Sequence, residues 1–512
     1  GSGGSAGGGG HSGADAASGD TTHCAGGREF SPAIDYYAPS CTPGTPGAPL
    51  PNNGGATAPG VGGNEVEVVN YVTNYGAVVN QILMSEGLYE SPAEAQQFNL
   101  PVQNFINSHY VLWGRKIHID TVASSCQAAP PDDQCLLPEI DRIAKSYHPY
   151  AMFWSTTVCS ACFAEMAKDG MVGIGGAGFS DALSNGLAPY FYTEGESSTR
   201  IETAFAQWWC NQMSTKNDAS RTVAFAGSGN PAQNLNGKPR VLGVISTNDP
   251  DNENTVTQVL VPALNRDCGD GGSIAAHHYF YAQNAATAAQ QSQAGISAMD
   301  TPTNPATDVL CLCDPVAPAF TFGQEKKQNY FPENLLASDQ LMGADVIGQS
   351  YESGLGCPPG PGGCEWDRGL GLSTISAQLP PGKDAGSQVY KLGGGSGAMP
   401  VQPILADTYW EAYNMLASLI ENTGPDLTPA RMQAAAPGMG MRGGGNTGVY
   451  EVGFAPGDWQ WTQDARIVYF DKNATSPYNG KAGSYIQVAG TTRYNLGQYP
   501  VEGGGPNVPR NR

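Results

Sequence analysis

Strand-like and helix-like segments alternate along most of this chain, and the alternation limits the possible fold more than any other feature. Apolar runs of strand length are separated by amphipathic helical segments in two successive series, the second beginning after Thr193. The strand-like runs are 65–72, 116–122, 150–155 and 171–176, then 240–246, 274–282, 308–314 and 329–334. Strands joined by helices run parallel, with helices on both faces of the sheet. The sequence therefore predicts an α/β protein with two doubly wound parallel-sheet units in tandem.

Charge and composition limit the partners and the compartment. The 512 residues include 25 Lys and Arg against 46 Asp and Glu, which gives a formal net charge of −21. Such a surface repels phosphate backbones and anionic lipid, so we expect no binding to nucleic acid or to a membrane surface. Charged residues are only 14% of the chain, below the roughly 25% usual in soluble domains. Uncharged polar residues supply the surface instead, as is common in exported proteins.

The 12 cysteines indicate the same compartment. Several close short, loop-like segments, and we predict them to form disulfides in an oxidising environment. The predicted pairs are Cys24 with Cys41, Cys126 with Cys135, and Cys357 with Cys364. Cys159-x-x-Cys162 lacks a second pair that would complete a zinc site. We favour disulfides from these two residues to other cysteines, such as Cys210 or Cys126, over a redox-active pair.

The chain opens with GSGGSAGGGGHSG, which has the composition of a flexible tether. We predict residues 1–63 to be this tether followed by a disulfide-stapled extension. A secreted lipoprotein cut just after its lipid-bearing cysteine would begin in this way, and so would a chain with an added linker. No run of 18 apolar residues is present, so no transmembrane helix is expected. The expected location is extracellular or periplasmic, and a lipid anchor on the outer face of the cytoplasmic membrane is an open alternative.

Gly173-x-Gly175-x-x-Gly178 matches the dinucleotide-binding fingerprint as a pattern. A dinucleotide site needs these glycines between the first strand and a long helix, with an acid near the end of the next strand. Here they follow the fourth strand, and Gly186 and Pro189 end the next helix within about two turns. We therefore predict no cofactor. Glycines that let backbone amides approach a ligand at the carboxyl end of a strand fit the context better.

Hydroxyl groups follow the third and fourth strands. Ser155, Thr156 and Thr157 come at the start of one helix, and Ser180 follows the glycines. Together with backbone amides they suit a carboxylate or carbonyl oxygen. Thr156 and Thr157 would equally serve as caps of the helix, and a capped N-terminus with spare amides is itself an anion site.

The segment YAMFWSTTVCSACFAEMAKDGMVGIGGAG resembles the type I periplasmic binding proteins, the branched-chain amino-acid and amide family of ABC transporters. LAPYFYTEGESST resembles the family's crossover between lobes, and FPEN its Pro-Glu element. ADTYWEAYNMLASLIENTG with LTPARMQAA resembles its late helix pair, and NNGGATAPGV is similar to actinobacterial members. The resemblance spans roughly 64–471 and rests on the order of these motifs.

The resemblance implies two lobes joined by a hinge, with a ligand cleft between them. The first lobe would contain 64–194 and about 351–445, and the second 195–350 and about 446–512. The implied function is not enzymatic. A monomer would capture a small polar molecule, of the amino-acid or amide class, and deliver it to the membrane permease of an ABC transporter.

The resemblance also implies a set of ligand-binding residues. In the first lobe these would be the Thr156, Thr157 and Ser180 hydroxyls, the backbone of Gly178 and Phe179, and the Tyr75 ring. In the second lobe they would be Asn248, Asp249, Asp314 and Glu333. Glu333 is the first candidate for a ligand ammonium and Asp314 the second, although either could be a solvated loop acid. Tyr75 could equally be plain core.

Two other classes of function stay open. A receptor or self-assembling extracellular protein could use the same fold without delivering a ligand, and the Trp/Tyr-rich tail and glycine-rich insertions leave room for it. A hydrolase is less favoured, because the chain has neither Gly-x-Ser-x-Gly nor His-Glu-x-x-His. His277 and His278 lie in a predicted strand, where a sheet residue is commoner than a catalytic one.

Overall fold

The computed structural model describes residues 20–29, 38–128, 131–154, 159–176, 178–227, 230–233, 235–338, 341–354, 366–367, 369–445, 449–488 and 492–499. A short hairpin of β1 (Cys24–Ala25) and β2 (Arg28–Glu29) lies in the N-terminal extension. Two larger sheets follow, as the alternation of segments predicts.

The first sheet has five parallel strands in the order β4-β3-β5-β6-β7. They are β3 (Glu65–Asn74), β4 (Lys116–Gln127), β5 (Ala151–Trp154), β6 (Val172–Gly175) and β7 (Phe191–Thr193). Strands β5 to β7 are buried throughout, because helices cover both faces of the sheet. The apolar runs of the sequence predict four of these strands, whereas the fifth, β7, falls in the segment that we assigned to the crossover.

The second sheet repeats this order in its parallel part and then continues antiparallel. Its order is β9-β8-β10-β11-β12, after which β13 pairs antiparallel with β12, and β14 and β15 pair antiparallel with β13. These strands are β8 (Leu242–Thr247), β9 (His278–Tyr281), β10 (Asp308–Leu312), β11 (Glu333–Ser338), β12 (Leu370–Ser373), β13 (Asp464–Thr475), β14 (Ala482–Gln487) and β15 (Tyr494–Asn495).

Helices fill the layers on either side of both sheets. They are α1 (Ala77–Glu86), α2 (Pro92–His109), α3 (Asp133–Tyr147), α4 (Ser160–Lys168), α5 (Asp181–Leu187), α6 (Ser198–Trp208), α7 (Pro250–Thr255), α8 (Val261–Asp267), α9 (Gly271–Ala276), α10 (Ala288–Met299), α11 (Ala317–Gln328), α12 (Asp345–Gly354), α13 (Ala385–Leu392), α14 (Pro403–Thr423) and α15 (Pro429–Ala435). A π-helical turn, Val256–Leu260, joins α7 to α8 and keeps this stretch helical in front of Pro262. Within the described residues, none of the helices combines the length and apolar character that a bilayer crossing requires.

We call the layers built on the first and second sheets the first and second lobes. The chain crosses between them after β7, after β12 and before β13. We predicted that the first lobe resumes at about 351, but β12 pairs with β11 and β13 in the second sheet. The return comes after Ser373, because the apolar run 370–373 completes the parallel part of the second sheet. Helices α13 and α14 then pack against α2 in the first lobe.

Part of the N-terminal extension is anchored to the first lobe by Arg115. This side chain is buried, and its guanidinium donates hydrogen bonds to four backbone carbonyls, those of Gly62, Asn53, Gly55 and Pro425. Charge-assisted bonds of this kind are about twice as strong as neutral ones. The residues just before β3 are thereby held to the loop after α14.

Five disulfides lie in the described residues, each within one lobe or the extension. They join Cys24 to Cys41, Cys126 to Cys135, Cys159 to Cys162, Cys210 to Cys268 and Cys311 to Cys313. The first two are predicted pairs, whereas Cys357 and Cys364 lie outside the described residues. The preference for Cys210 or Cys126 as partners of Cys159 and Cys162 is wrong. A spacing of three at the start of α4 puts their Cα atoms 5.3 Å apart, within disulfide reach.

A buried ion triad closes the amino-terminal edge of the second sheet. Arg240, Asp308 and Glu333 have side chains with 0% exposure, and Arg240 pairs with both acids. The Glu333 Oε1 atom also accepts hydrogen bonds from the Ala224 and Phe225 amides, at 2.9 and 2.8 Å. The two carboxyl groups depend on one guanidinium for their charge balance.

We expect Arg240→Met to lower the free energy of unfolding by about 3–5 kcal/mol, because it leaves two buried acids without their cation. Urea unfolding followed by circular dichroism measures the change. Arg266→Met is the matched control, since Arg266 is exposed and pairs with neighbouring Asp267, and we expect a change within about 0.5 kcal/mol. Equal effects of the two substitutions would contradict the structural role of the triad.

Candidate functional site

Both sheets direct their carboxyl ends toward one cavity of about 620 Å³. From the first lobe, Tyr75 follows β3, Phe179 comes after β6, and Glu194 follows β7. From the second lobe, Tyr281 ends β9 and Asp314 follows β10. Each sheet changes winding direction beside its central strands, and open α/β sheets bind ligands at such points. The cavity therefore lies where this architecture places a ligand.

The walls of the cavity are mainly apolar. Aliphatic side chains come from α1, from α14 and from the segment after β12, and Phe320 of α11 adds an aromatic ring. These aliphatic residues include Val79, Leu83, Ile375, Leu379, Ile404 and Leu405. Apolar walls with a few polar groups are typical of small-molecule sites.

The polar part of the lining is strongly acidic. Six acids line the cavity, namely Glu194, Glu196, Asp314, Asp384, Asp407 and Glu411. Among the lining residues in the described part of the chain, Lys383 is the single cation, and it is exposed. The cavity thus offers many hydrogen-bond acceptors and little positive charge.

Three of these acids hold protons more tightly than usual. Burial raises the pKa of Glu411 to about 7, although the Trp461 indole N–H donates to it at 3.1 Å. Burial also raises the pKa of Glu194 and of Asp407 well above their usual range, and the neighbouring Glu411 carboxylate adds to both. The Glu194 Oε2 atom is buried and has no hydrogen-bond partner among the described residues. A ligand that donates hydrogen bonds or carries positive charge would stabilise these groups.

Asp314 lines the cavity, but local hydrogen bonds fix its carboxylate. Its Oδ2 atom accepts from the Tyr281 hydroxyl at 2.6 Å and from the Gln283 amide at 3.2 Å. Its Oδ1 atom accepts from the backbone N–H groups of Val316 and Ala317 at the start of α11. Asp314 therefore holds the Tyr281 hydroxyl in place beside the cavity.

The remaining predicted residues fall into different places. Tyr75 and Phe179 line the cavity. Gly178, the residue before Phe179, has a left-handed φ of 95°. The backbone N–H of Asn248 donates to the Tyr281 carbonyl. Thr156 and Thr157 lie outside the described residues. Ser180 and Asp249 lie at the contact between the lobes and make hydrogen bonds across it.

The prediction that Glu333 meets the ligand is wrong. Glu333 begins β11, so its side chain lies at the amino-terminal edge of the sheet, while the cavity lies at the carboxyl edge. There it pairs with Arg240. The Pro-Glu resemblance placed Glu333 near the end of a strand, but β11 begins at this residue. The motif therefore identified a buried structural acid.

Sequence reasoning missed Glu194, Asp407 and Glu411. A signal exists for the last two, which are four residues apart on α14, a helix with an almost wholly buried apolar sequence. Acids on a buried helical face need a partner or a function. Glu194 lies in the crossover segment and has no comparable signal.

The parallel strands of the two sheets, their common order and the cavity between their carboxyl ends define the type I periplasmic-binding-protein fold, the fold of ABC-transporter substrate-binding proteins. The resemblance predicted from the sequence is thus confirmed for the fold, while the likeness to actinobacterial members stays a prediction. No protein-family model matches the sequence, and no curated protein matches it.

Solved structures with this architecture include a possible leucine/isoleucine/valine-binding protein from Rhodopirellula baltica SH 1. It has a TM-score of 0.54 and 10% identity, over 83% of this chain and 96% of that one. A fatty acid ABC transporter substrate-binding protein from Thermomonospora curvata has a TM-score of 0.53 and 14% identity, over 88% and 96%. A solute-binding protein from R. palustris in complex with 4-hydroxybenzoate has a TM-score of 0.52 and 8% identity, over 85% and 98%. At sequence identities this low, the structural similarity shows a shared fold alone.

We expect Glu411→Gln to change how stability depends on pH. The pKa of Glu411 is raised from 4.5 to about 7 in the folded protein, so the folded state binds the extra proton between these values. The free energy of unfolding then falls as pH rises through this interval, by at most about 1.4 kcal/mol per pH unit. The variant keeps an acceptor for the Trp461 indole. Its free energy of unfolding should not decrease over this pH interval, so it should be more stable than the wild type above pH 7.

Chemical denaturation at a series of pH values tests the prediction. Glu65→Gln, at an exposed carboxyl, controls for the loss of one charge. Parallel stability profiles of wild type and Glu411→Gln would show that Glu411 ionises normally.

Proposed function

We propose that this chain is an extracellular solute-binding protein, which captures a small molecule between its lobes and delivers it to the membrane permease of an ABC transporter. The observation that carries the proposal is the cavity of about 620 Å³ enclosed by the carboxyl ends of both sheets. Its volume is in the range of small-molecule sites. The R. palustris and Thermomonospora curvata proteins with this fold are solute-binding proteins of ABC transporters.

The cavity lining favours a ligand of the amino-acid or amide class with an apolar body. The aliphatic walls would cover the body, and Glu194, Asp407 and Glu411 would accept hydrogen bonds from an ammonium or amide N–H group. Such a group would compensate for the charge that makes these acids costly to ionise. Tyr75 and Phe179 would bound the ligand from the first lobe.

The segments that join the lobes are suited to a hinge. Thr193 pairs with Gln460 in a parallel bridge, with hydrogen bonds from the Thr193 amide to Trp459 and from the Trp461 amide to Thr193. Arg200, at the start of the second lobe, forms a bidentate pair with Asp458 at 2.8 and 2.9 Å. Two of the three crossings are thus held together and would move as one element.

We also propose that the protein acts as a monomer, outside the cytoplasmic membrane, with a lipid anchor as an alternative to free secretion. The disulfides support an oxidising, extracytoplasmic location. The low fraction of charged residues and the negative net charge are consistent with it. The hydrolase alternative gains no support from His277, which is buried, with its ring nitrogens against the Ser273 and Asn304 carbonyls at 3.0 and 2.6 Å.

A thermal-shift screen tests the proposal, with protein that has been unfolded and refolded to remove any copurified ligand. The panel comprises amino acids, amides, urea analogues, sugars and small aromatic acids. A compound at about a hundred times its Kd adds about 2.7 kcal/mol, which should raise the Tm by a few degrees. A selective rise is expected for amides or amino acids, and a flat screen would favour a receptor or assembly role instead.

A matched pair of variants shows whether a hit binds in the cavity. We expect Ala288→Trp to abolish the rise in Tm, because Ala288 lines the cavity and the indole would fill it. Ala294→Trp lies on the same helix α10 at an exposed position away from the lining, and should keep the rise. A rise that survives Ala288→Trp would place the binding site elsewhere.

A further inference from the structure

Ser180, one of the donors that the sequence offers for a ligand carboxylate, is already engaged across the cleft, and so is Ser160. The Ser180 amide and hydroxyl donate to the two oxygens of Asp251, at 2.8 and 2.5 Å. Ser160 lies in the first turn of α4, and its amide and hydroxyl donate to the Asp249 Oδ2 atom, at 3.4 and 3.3 Å. Ser160 and Ser180 belong to the first lobe, and both aspartates to the second.

The two aspartates are held in position by their own segment. Asp249 is the N-cap of α7, and its Oδ1 atom accepts the Asp251 amide at 2.9 Å, while its Oδ2 atom faces Ser160. One short element, which begins two residues after β8, thus presents two carboxylates side by side. Their partners follow β5 and β6, the two strands at whose ends a ligand carboxylate is expected from the sequence.

The geometry of the Ser180 contact is that of carboxylate recognition. One serine gives both an N–H and an O–H to one carboxylate, so that both oxygens are satisfied. Charge-assisted bonds of this kind are shorter and stronger than neutral ones. Ser180 also caps α5, because its hydroxyl oxygen accepts a hydrogen bond from the Leu183 amide at 3.0 Å. This bond within the first lobe holds the Ser180 side chain in place independently of Asp251.

We propose that Asp249 and Asp251 are specificity-determining residues, which occupy the Ser160 and Ser180 donors of the first lobe from the second lobe and so exclude a ligand carboxylate from these donors. The proposal rests on the proposed function, because it concerns the ligand of the same cleft. Of the two ligand classes it selects the amide, which brings donors to the acidic lining and needs no carboxylate site. An amino acid would bring a carboxylate into a cavity that six acids line.

Amide hydrogen exchange measures the interlobe contact of Ser180 without any ligand. The peptide that contains Ser180 is followed by mass spectrometry. Asp251→Ala removes the acceptor of the Ser180 amide, and we expect exchange of this peptide to become about 10- to 100-fold faster, the range for a lost bond to a charged group. Sodium acetate should slow it again in the variant by filling the vacated donors, while sodium chloride at equal ionic strength should not.

Glu253→Ala is the matched control, since Glu253 lies on the same helix α7 and makes no interlobe hydrogen bond within the described part of the chain. It should leave the exchange unchanged. Asp251→Asn, which keeps one acceptor and the side-chain shape, should give an intermediate rate and guards against loss of the fold in the alanine variant.

Three outcomes would overturn the proposal. Unchanged exchange in Asp251→Ala would show that the lobes do not meet here in solution. Faster exchange that acetate does not slow would show that the donors have no affinity for a carboxylate. Slowing of the wild type by acetate would show that its donors are free. None of these outcomes bears on the thermal-shift screen, so a failure here is distinct from a failure of the proposed function.

Discussion

Parallel strands joined by helices all end at the same edge of their sheet, and several polar groups of the cleft lie there for this reason, whereas Asp407 and Glu411 reach the cavity from helix α14. In both lobes, loops that follow strands line the cavity. Tyr75, Phe179 and Asp314 lie at the carboxyl edge and line the cavity, whereas Arg240 and Glu333 lie at the amino edge and stabilise the sheet. Which end of a strand a residue occupies therefore separates a residue of the cavity from a residue that stabilises the sheet.

The cavity combines apolar walls with acids that have few cations near them. Burying such groups is costly unless they hold protons or meet a positive partner. Glu194, Asp407 and Glu411 follow the first course, as their raised pKa values show. In the same cleft, Asp249 and Asp251 have no cationic partner across the lobes in the described residues, and each accepts hydrogen bonds from a serine hydroxyl and a backbone amide of the opposite lobe. The two groups of acids thus lie in different places: the first lines the cavity, and the second joins the lobes.

The alternation of apolar segments was enough to predict the α/β class, the two sheets and most strands, because buried parallel strands need continuous apolar runs. The short β7 was missed, since three residues carry too little pattern. The boundary at 351 was placed too early because the glycine-rich insertion hides β12. For the site, Tyr75, Phe179 and Asp314, which follow strands, line the cavity, but the strand end at which Glu333 lies could not be inferred from a short motif. Contacts across the cleft, such as Ser180 with Asp251, depend on how the lobes meet, which local sequence does not encode.

The bridge between Thr193 and Gln460 has a mechanical consequence. Two crossing segments that are hydrogen-bonded to each other cannot twist independently, and the Arg200–Asp458 pair fixes one of them to the first helix of the second lobe. If the lobes close as proposed, this link would reduce their relative motion toward a single rotation, along an arc that the hinge sets. Such an arc would bring α7 back to the ends of α4 and α5 in the same register at each closure, so the accuracy of the interlobe contacts is determined far from the contacts themselves.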